Sequence, residues 1–508
     1  MAHDKSNLYE GLETMARKSL CPWDDYYARM AQTDFFLGRE RLTASKTYFL
    51  RQAPFGGSYA LLGGITEFLR QVRSYRFTDE VGEVLLAQGY RKPFVDYLVK
   101  TKRYLDLCIF APPEGSLFFP SEPVVSISGG IIDVRLAEGM LLECLNYPTL
   151  AMTKWSRVIF AAGLGSVMEF SRRRAQDHLR TTLYGYLAGT RVSSNSEIRT
   201  WFDIPTVGTM GHEWIQSFGD EFAAFNAWLE ENPDRPTLLV DTVDTLSSGI
   251  PNAIEAFKEH KDKIAAAKGA MGVRLDSGDL AYLAMESCKR LWAAGLEAKV
   301  FMTNDLDERS IQSIKSQIEE QAPEMDIDAS DVLLNLVWAC GTKPGTCWDQ
   351  PSAGGVAKLT SVNADGKRRS VIKLARDNPI KTSIPGENLS AFYLNKEGHI
   401  EACLIYGRDE DLDSIGRIIH PDDESKYTEV DHSWIVIRRQ RMYKNHDEVL
   451  GQYRRESLQD IRRHVIEELQ MLHWTNRRIE KPHSIKVGLS PKLFSDRRFM
   501  ITERKLIY

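Results

Sequence analysis

Between residues 237 and 341, short apolar segments alternate with longer amphipathic ones, and this pattern constrains the fold more than any other feature. Apolar strands alternating with helices of roughly 10–17 residues predict a parallel sheet with crossover helices. The predicted strands are Thr237–Thr242, Gly272–Asp276, Ala298–Asn304 and Val332–Gly341. The predicted helices between them are Asn252–Lys268, Leu280–Ala294 and Asp307–Gln317.

Each predicted strand carries a polar or flexible residue at its end, namely Asp241, Asp276, Asn304 and Gly341. A βα barrel places its chemistry at the carboxyl ends of its strands. The alternative is that these residues only cap the helices that follow. Four such ends in succession favour a barrel, so the predicted fold class is α/β with an irregular, TIM-like βα barrel.

The chain has 508 residues, which is too long for one compact core, so several domains are expected. We predict a mixed α/β N-terminal domain at residues 1–134 and the barrel at residues 135–365. Residues 366–508 form short strands and a basic helix, Leu458–Leu472, and are expected to pack back on the N-terminal domain and complete it.

Composition excludes several classes of protein. A formal net charge of −5 argues against a general nucleic-acid binder. The N-terminus has no apolar signal region and no stretch approaches ~18 apolar residues, so we expect a cytoplasmic protein without a membrane span. Seven cysteines without a repeating spacing predict neither a disulfide framework nor a zinc site.

One histidine stands in an unusual context. The segment Val207–Trp214 reads VGTMGHEW, so two glycines precede His212 in a short loop before an apparent helix. Glycines let the backbone approach a ligand closely, and an imidazole there can act as acid, base or nucleophile. The alternative is a structural histidine, which is the commoner case.

Two charged clusters are further candidates. Glu169–Ala175 reads EFSRRRA, and arginine forks match carboxylate and phosphate geometry, although a solvated basic face is the alternative. Arg274–Asp279 reads RLDSGD, and its acids and hydroxyl suit a ribose diol or Mg²⁺, unless the segment is a capped turn. Arg274 and Asp276 share one face of their strand.

A third candidate follows the last predicted strand. Cys340–Thr346 reads CGTKPGT, in which glycines, threonines and exposed amides make a plausible phosphate cradle with Lys343 as a charge. It is not a Walker motif, and an ordinary loop is the alternative.

Together and in this order, these segments resemble the nicotinate phosphoribosyltransferase family over nearly the whole chain. Asp24–Met30 (DDYYARM) is similar to the family's Asp-x-Tyr-x-x-x-Met opening. Phe49–Gly56, Phe119–Pro123 and Lys481–Ser484 are similar to other family segments. The resemblance implies a type II phosphoribosyltransferase fold and a head-to-tail homodimer whose active sites lie between subunits.

The resemblance also implies roles for individual residues. Tyr26 of one subunit and Phe170 of the other would sandwich the pyridine ring, and Arg173 would hold the substrate carboxylate or a nearby phosphate. The expected catalytic and ribose- or pyrophosphate-binding cluster consists of Asp241, Arg274, Asp276 and Ser277. The expected cradle of the 5′-phosphate consists of Gly341 and Thr342.

His212 falls on the family's phosphorylated histidine, which ATP phosphorylates to drive an unfavourable glycosyl transfer. The implied reaction joins nicotinate to phosphoribosyl pyrophosphate and releases nicotinate mononucleotide and pyrophosphate, the first step of NAD salvage from nicotinate. ATP is the implied co-substrate. Mg²⁺ is the implied cofactor, carried by the pyrophosphate, with Asp279 as a candidate protein ligand.

The sequence departs from the family pattern at several places. The usual glycine before the arginines is Ser171, with an additional Arg172, and Val192 and Val243 replace a glycine and a tyrosine. The nearest alternative function is a nicotinamide phosphoribosyltransferase. A quinolinate enzyme and a catalytically silent nucleotide-binding scaffold are others. The joint presence of His212, Arg274 and Asp276 argues against the silent scaffold.

Overall fold

A computed structural model describes residues 5–15, 19–374, 381–431, 433–438, 441–444 and 456–507. The chain divides into two compact units, the first formed by residues 1–153 and 352–508 and the second by residues 154–351. These limits differ from the predicted ones at 134/135 and 365/366. Helix Ile131–Ala162 runs unbroken past residue 134, and strand Val356–Ala364 pairs with strand Thr43–Phe49 of the first unit.

The N-terminal part of the first unit mixes helices and strands. Its helices are α1 (Leu8–Met15), α2 (Asp25–Phe36), α3 (Ile65–Ser74), α4 (Asp79–Ala87), α5 (Lys92–Asp96) and α6 (Ile131–Ala162). Its strands are β1 (Thr43–Phe49), β2 (Ala60–Leu61), β3 (Leu107–Ala111), β4 (Leu117–Phe118) and β5 (Val125–Gly130).

The second unit alternates strands and helices. Its strands are β6 (Val167–Glu169), β7 (Thr237–Leu239), β8 (Gly272–Leu275), β9 (Lys299–Met302) and β10 (Leu336–Cys340). Its first helices are α7 (His178–Ala188), α8 (Ile198–Trp201), α9 (His212–Phe218), α10 (Glu221–Glu231), α11 (Ile250–Glu259) and α12 (Lys261–Ala266). The remaining helices are α13 (Leu280–Ala293), α14 (Glu308–Gln321), α15 (Ala329–Asn335) and α16 (Thr342–Thr346).

The C-terminal part of the first unit is rich in strands. They are β11 (Val356–Ala364), β12 (Lys367–Ser370), β13 (Asn388–Leu394), β14 (Ile400–Gly407), β15 (Arg417–His420), β16 (Asp423–Glu429), β17 (Ile435–Arg438), β18 (Arg441–Lys444) and β19 (Lys486–Leu489). The helices are α17 (Leu458–Gln470) and α18 (Pro491–Ile507). Helix α17 begins with a capping box between Ser457 and Asp460, which explains its well-defined start.

Two six-stranded sheets organise the first unit. The first has the order β12-β11-β1-β5-β3-β18 and is antiparallel throughout. The second has the order β16-β15-β19-β14-β13-β17, with one parallel pair, β14 and β19. C-terminal strands therefore complete a sheet that N-terminal strands begin, and both segments belong to one unit.

The second unit is built on a five-stranded parallel sheet with the order β6-β10-β9-β8-β7. Its strand residues Leu238, Val273, Leu275, Val300 and Met302 are fully buried. Nearly continuous apolar strands are typical of parallel sheets that are covered on both faces. The predicted parallel α/β architecture is therefore present in this part of the chain.

Two sequence-based details were wrong. The predicted strand Val332–Gly341 begins as helix α15, because Asp328 caps that helix by accepting the amides of Ser330 and Asp331. The predicted helix Asn252–Lys268 is two helices, α11 and α12, with a break at His260.

A closed barrel is not confirmed. Isolated parallel bridges extend the sheet beyond β6, from Glu169 to Ser193 and from Ser193 to Thr206. Within the described ranges, no strand pairing links Thr206 to β7. A mixed α/β fold with an open parallel sheet is the architecture that the strand pairing supports.

Two expectations about the chain as a whole can be compared with the structure. All seven cysteines are free thiols, in agreement with the expected lack of a disulfide framework. Among the helices in the described residues, none is long and apolar enough to cross a membrane.

A buried ionic cluster joins α6 to the start of α14. Glu308, whose side chain is 0% exposed, lies 2.9 Å from Lys154 Nζ and 3.0 Å from Arg157 Nε. Lys154 also contacts Asp349 at 2.9 Å. Because buried charges are tolerated only when they are paired, Glu308 neutralises two cations that water cannot reach.

We predict that Glu308→Gln lowers the free energy of unfolding by about 3 kcal/mol, because it leaves two buried cations short of their shared anion. Urea denaturation measures the loss. The matched control is Glu320→Gln, an exposed change on the same helix α14, which should leave stability unaltered. Equal stability of the two variants would contradict the prediction.

Candidate active site

The carboxyl ends of the parallel strands in the second unit meet at one edge of the sheet. Phe170 directly follows β6, Asp276 directly follows β8 and Gly341 directly follows β10, while Asp241 lies two residues beyond β7. Since the strands run in the same direction, residues predicted as candidates from separate motifs share this edge.

The capping alternative holds for a different set of acids. Asp244, Asp279 and Asp307 each accept backbone amides from the turn that follows them, so these three carboxylates start helical turns. Asp241 and Asp276 do not cap a helix and are directed to side chains at the sheet edge. Asp279, the candidate magnesium ligand, therefore has a structural role at the start of α13.

His212 is the first residue of α9, and its side chain lies beside those of Asp241, Thr242 and Asp276. Its Nδ1 is 3.0 Å from Thr242 Oγ1, and its Nε2 is 3.8 Å from Asp241 Oδ1 and 3.7 Å from Asp276 Oδ2. The histidine side chain is 38% exposed. One ring nitrogen is thus oriented by a hydroxyl, while the other faces two carboxylates and remains accessible to a ligand.

Asp241 holds the ends of two neighbouring strands together. Its Oδ2 accepts the backbone N–H of Asp276 at 2.8 Å and the hydroxyl of Ser277 at 2.6 Å. The side chain is 2% exposed, and within the described residues its Oδ1 accepts no hydrogen bond. A buried carboxylate oxygen without a donor carries uncompensated negative charge, and this oxygen is the one directed to His212.

Arg274 links the histidine loop to the acid cluster. Its guanidinium contacts Asp276 Oδ2 at 3.1 Å and donates to Thr209 Oγ1 at 3.1 Å and to Thr303 Oγ1 at 3.3 Å. Thr303 also lies 2.5 Å from Asp276 Oδ1. The shared strand facing of Arg274 and Asp276, which was expected from their spacing, is confirmed by this ion pair.

Sequence reasoning missed three threonine hydroxyls of this cluster. Thr209, Thr242 and Thr303 each bond to His212, Arg274 or an acid of the cluster. Two of them stand inside motifs that were recognised, VGTMGHEW and DTVDT, but Thr303 only precedes a strand-end asparagine. Threonine is common in strands, so its presence there carries no signal by itself.

The three arginines that follow β6 have different surroundings. Arg172 donates to Asn195 Oδ1 and pairs with Glu197, each at 3.0 Å. Arg173 and Arg174 are exposed, and Phe170 is half-buried. The predicted substrate-binding pair Phe170 and Arg173 thus lies at the sheet edge with surface available to a ligand.

Gly341 precedes the short helix α16, whose first residue is Thr342. The neighbouring Lys343 is 3.5 Å from Asp307. Burial alone would raise the pKa of Asp307, but hydrogen bonds from Ser310 and the charges of Lys343 and Lys154 outweigh it, so its pKa lies below the usual value. Lys343 is thereby held near the turn.

Tyr26 belongs to the first unit, where it lies on α2 and is 54% exposed.

The same unit carries a group of four cations, Lys46, Arg51, Lys358 and Lys373. Desolvation lowers the pKa of Lys358, and the charges of the other three cations lower it further, although Glu138 opposes them. Mutually repelling cations are suited to an anionic ligand.

The acids beside His212 meet part of the requirement for Mg²⁺. No group of three or more His, Cys, Asp or Glu side chains is arranged as a metal site anywhere in the described ranges. Asp241 and Asp276 nevertheless offer carboxylate oxygens on one side of the imidazole. Mg²⁺ characteristically binds through one or two carboxylates and completes its shell with water and phosphate oxygens, so this pair fits it.

Comparison with known families gives two matches. A family model described as the nicotinate phosphoribosyltransferase N-terminal domain matches residues 23–146. A second model, the nicotinate phosphoribosyltransferase C-terminal domain, matches residues 392–497.

Two solved structures share the fold. The crystal structure of human nicotinic acid phosphoribosyltransferase superposes with a TM-score of 0.74 at 24% identity, covering 96% of this chain and all of that one (100%). Nicotinate-nucleotide pyrophosphorylase from Pyrococcus furiosus superposes with a TM-score of 0.61 at 18% identity, covering 93% and 99% of the two chains.

Curated relatives extend over most of the sequence. A nicotinate phosphoribosyltransferase of Bacillus subtilis is 32% identical over 497 residues, which cover 95% of each chain. Nicotinate phosphoribosyltransferase 1 of Arabidopsis thaliana is 28% identical, covering 94% of this chain and 93% of the relative. The human relative is 29% identical over 74% of this chain and 77% of its own length. With similarity along almost the whole length and both family domains present, this chain belongs to the nicotinate phosphoribosyltransferase family and is an enzyme of that type.

Proposed function

We propose that this enzyme forms nicotinate mononucleotide and pyrophosphate from nicotinate and phosphoribosyl pyrophosphate, and couples the transfer to ATP hydrolysis through a phosphohistidine at His212. The observation that carries the proposal is the His212 imidazole, oriented by Thr242 and facing Asp241 and Asp276. The names of the relatives support nicotinate as the base. The product would enter NAD salvage.

The phosphorylation step requires one ring nitrogen with an available lone pair. Thr242 contacts Nδ1, so Nε2 is the nitrogen that we propose attacks the γ-phosphorus of ATP. The N–P bond forms as the bond from phosphorus to ADP breaks. Water later cleaves the N–P bond and releases inorganic phosphate, and this cleavage supplies the free energy for the glycosyl transfer.

The transfer step separates charge at the ribose. As the bond from C1 to pyrophosphate breaks, C1 gains oxocarbenium character and the leaving group gains negative charge. Arg274 and Asp276 are fixed by the hydroxyls of Thr209 and Thr303, so they would meet ribose and pyrophosphate without rearrangement. Mg²⁺ held beside Asp241 and Asp276 would supply charge neutralisation of the phosphates.

Base recognition requires a second copy of the chain in this proposal. Phe170 of one copy and Tyr26 of another would stack on the two faces of the pyridine ring, and Arg173 would pair with the carboxylate. The exposure of Tyr26 and Arg173 is consistent with these roles. The parallel sheet would form part of an irregular barrel.

We predict that His212→Ala abolishes the stimulation of transfer by ATP but leaves slow uncoupled transfer, because the phosphoryl acceptor is lost while the ribose site is intact. Rates with and without ATP, and mass spectrometry for acid-labile phosphate on His212, measure the effect. His260→Ala, a half-buried histidine of the same unit, is the matched control. ATP stimulation that survives in His212→Ala would eliminate the phosphohistidine.

We predict that Thr242→Val slows phosphorylation of His212 by about fivefold to tenfold, since one hydrogen bond is worth about 1 kcal/mol and valine keeps the shape of the side chain. The uncoupled transfer rate should not change. Rapid-quench measurement of the phosphoenzyme tests the step. A phosphorylation rate equal to that of the parent would show that Thr242 does not orient the ring.

We predict that Arg173→Gln raises the KM for nicotinate by about 10- to 100-fold, because a hydrogen-bonded charge pair with the base contributes about 1.5–3 kcal/mol. Arg174→Gln, the exposed neighbour, should change it little. Steady-state rates with nicotinate and nicotinamide complete the test. If the parent prefers nicotinamide, the nicotinamide reaction is the correct assignment.

A further inference from the structure

Ser171, the residue after Phe170, is fully buried and bound to a carboxylate on one side. Its backbone N–H donates to Glu169 Oε1 at 2.5 Å, and its hydroxyl forms a short hydrogen bond to the same oxygen. The hydroxyl and the N–H of one residue thus bond to the same carboxylate oxygen.

On its other side, Ser171 packs against Gly345 of α16. A Cβ on Gly345 would lie 2.1 Å from Ser171 Cβ and 2.5 Å from its Oγ, far inside van der Waals contact. Gly345 does not adopt a positive φ, so its backbone conformation is open to any residue. The approach of Ser171 is therefore what requires glycine at position 345.

Two further backbone contacts join the residues after β6 to those after β10. The N–H of Phe170 donates to Cys340 O at 2.7 Å. A Cβ on Gly341 would lie 3.0 Å from the carbonyl oxygen of Phe170, which is close packing. We call the loop Phe170–Arg174 the arginine loop and the turn Gly341–Thr346 the glycine turn. The arginine loop thus packs against the glycine turn.

Glu169 holds Ser171 against the rest of the sheet. This carboxylate is fully buried, and its Oε2 accepts the hydroxyls of Thr182, at 2.9 Å, and of Ser193 in a short bond. Four donors therefore satisfy a buried negative charge. Such a group resists displacement, because any movement that breaks a bond leaves the charge without a donor.

We propose that Ser171 is a positioning residue that sets the distance between the arginine loop and the glycine turn. The proposal rests on the proposed function, in which the arginine loop binds the pyridine carboxylate and the glycine turn binds the 5′-phosphate. The two substrates then meet at a separation fixed by the contacts of Ser171 with Glu169 and Gly345. Misplacement of reacting groups by about 1 Å can reduce a rate by about 100-fold.

The test is a double-mutant cycle of Gly345→Ala and Ser171→Gly, singly and combined. Gly345→Ala should lower kcat by about 100-fold, because its methyl group displaces the arginine loop. Ser171→Gly removes the obstructing side chain, so the double variant should recover to within about threefold of Ser171→Gly alone. Gly416→Ala is the matched control, since a Cβ there meets nothing within 4 Å and its φ is not positive.

Thermal unfolding of the same variants separates packing from positioning. Rescue of both Tm and kcat in the double variant is the expected result, and it holds even if Gly345→Ala alone does not fold. Additive losses of Tm and kcat in the double variant would show that Ser171 and Gly345 do not interact. If Tm is rescued but kcat is the same in every variant, Ser171 has no positioning role. A parent enzyme that transfers no phosphoribosyl group to nicotinate would instead overturn the proposed function.

Discussion

The hydrogen bonds of the buried Asp241 carboxylate are the interaction on which the rest of the site depends. The parallel register pairs Leu239 with Arg274, so the residues two positions further, Asp241 and Asp276, lie side by side. Asp241 uses this position to accept the amide of Asp276 and the hydroxyl of Ser277. Because separation of the two strand ends would break both of these bonds and leave the buried carboxylate without donors, it would cost a large amount of free energy.

The same register extends the cluster to a third strand. Leu275 pairs with Met302, which places Thr303 beside Asp276, where the two side chains form a hydrogen bond. One polar residue from each of three successive strands thus forms a row along the sheet edge. His212 and Arg274 bind to this row, so the geometry of the site follows from strand pairing more than from the loops.

The sequence predicted the parts of this arrangement that depend on local pattern. Alternating strands and helices predicted the parallel sheet, and the spacing of Arg274 and Asp276 predicted their shared face. Register is set by packing between segments far apart in sequence, so the contacts of Thr303 with Asp276 were not predictable.

Where the structure differs from the sequence-based predictions, an interaction that the local pattern does not reveal is the reason. Helix α15 forms where a strand was expected because Asp328 supplies a cap, and local side-chain bonds outweigh an apolar pattern. Ser171 was identified only as a departure from the family pattern, since nothing in the sequence reveals that Gly345 faces it. The predicted domain limit at 134/135 falls within helix α6, which extends from Ile131 to Ala162.

In the proposed function, the charges around His212 would let its phosphorylation store free energy. Asp241 and Asp276 lie 3.8 and 3.7 Å from Nε2, and the Arg274 guanidinium pairs with Asp276. A phosphoryl group on this nitrogen would add negative charge beside two carboxylates in a partly buried setting, where repulsion is stronger than in water. The phosphoenzyme would be strained electrostatically until a cation or a departing anion relieved it. Thus a site that is poor at holding phosphate by itself is suited to releasing it, and the release would be the driving step.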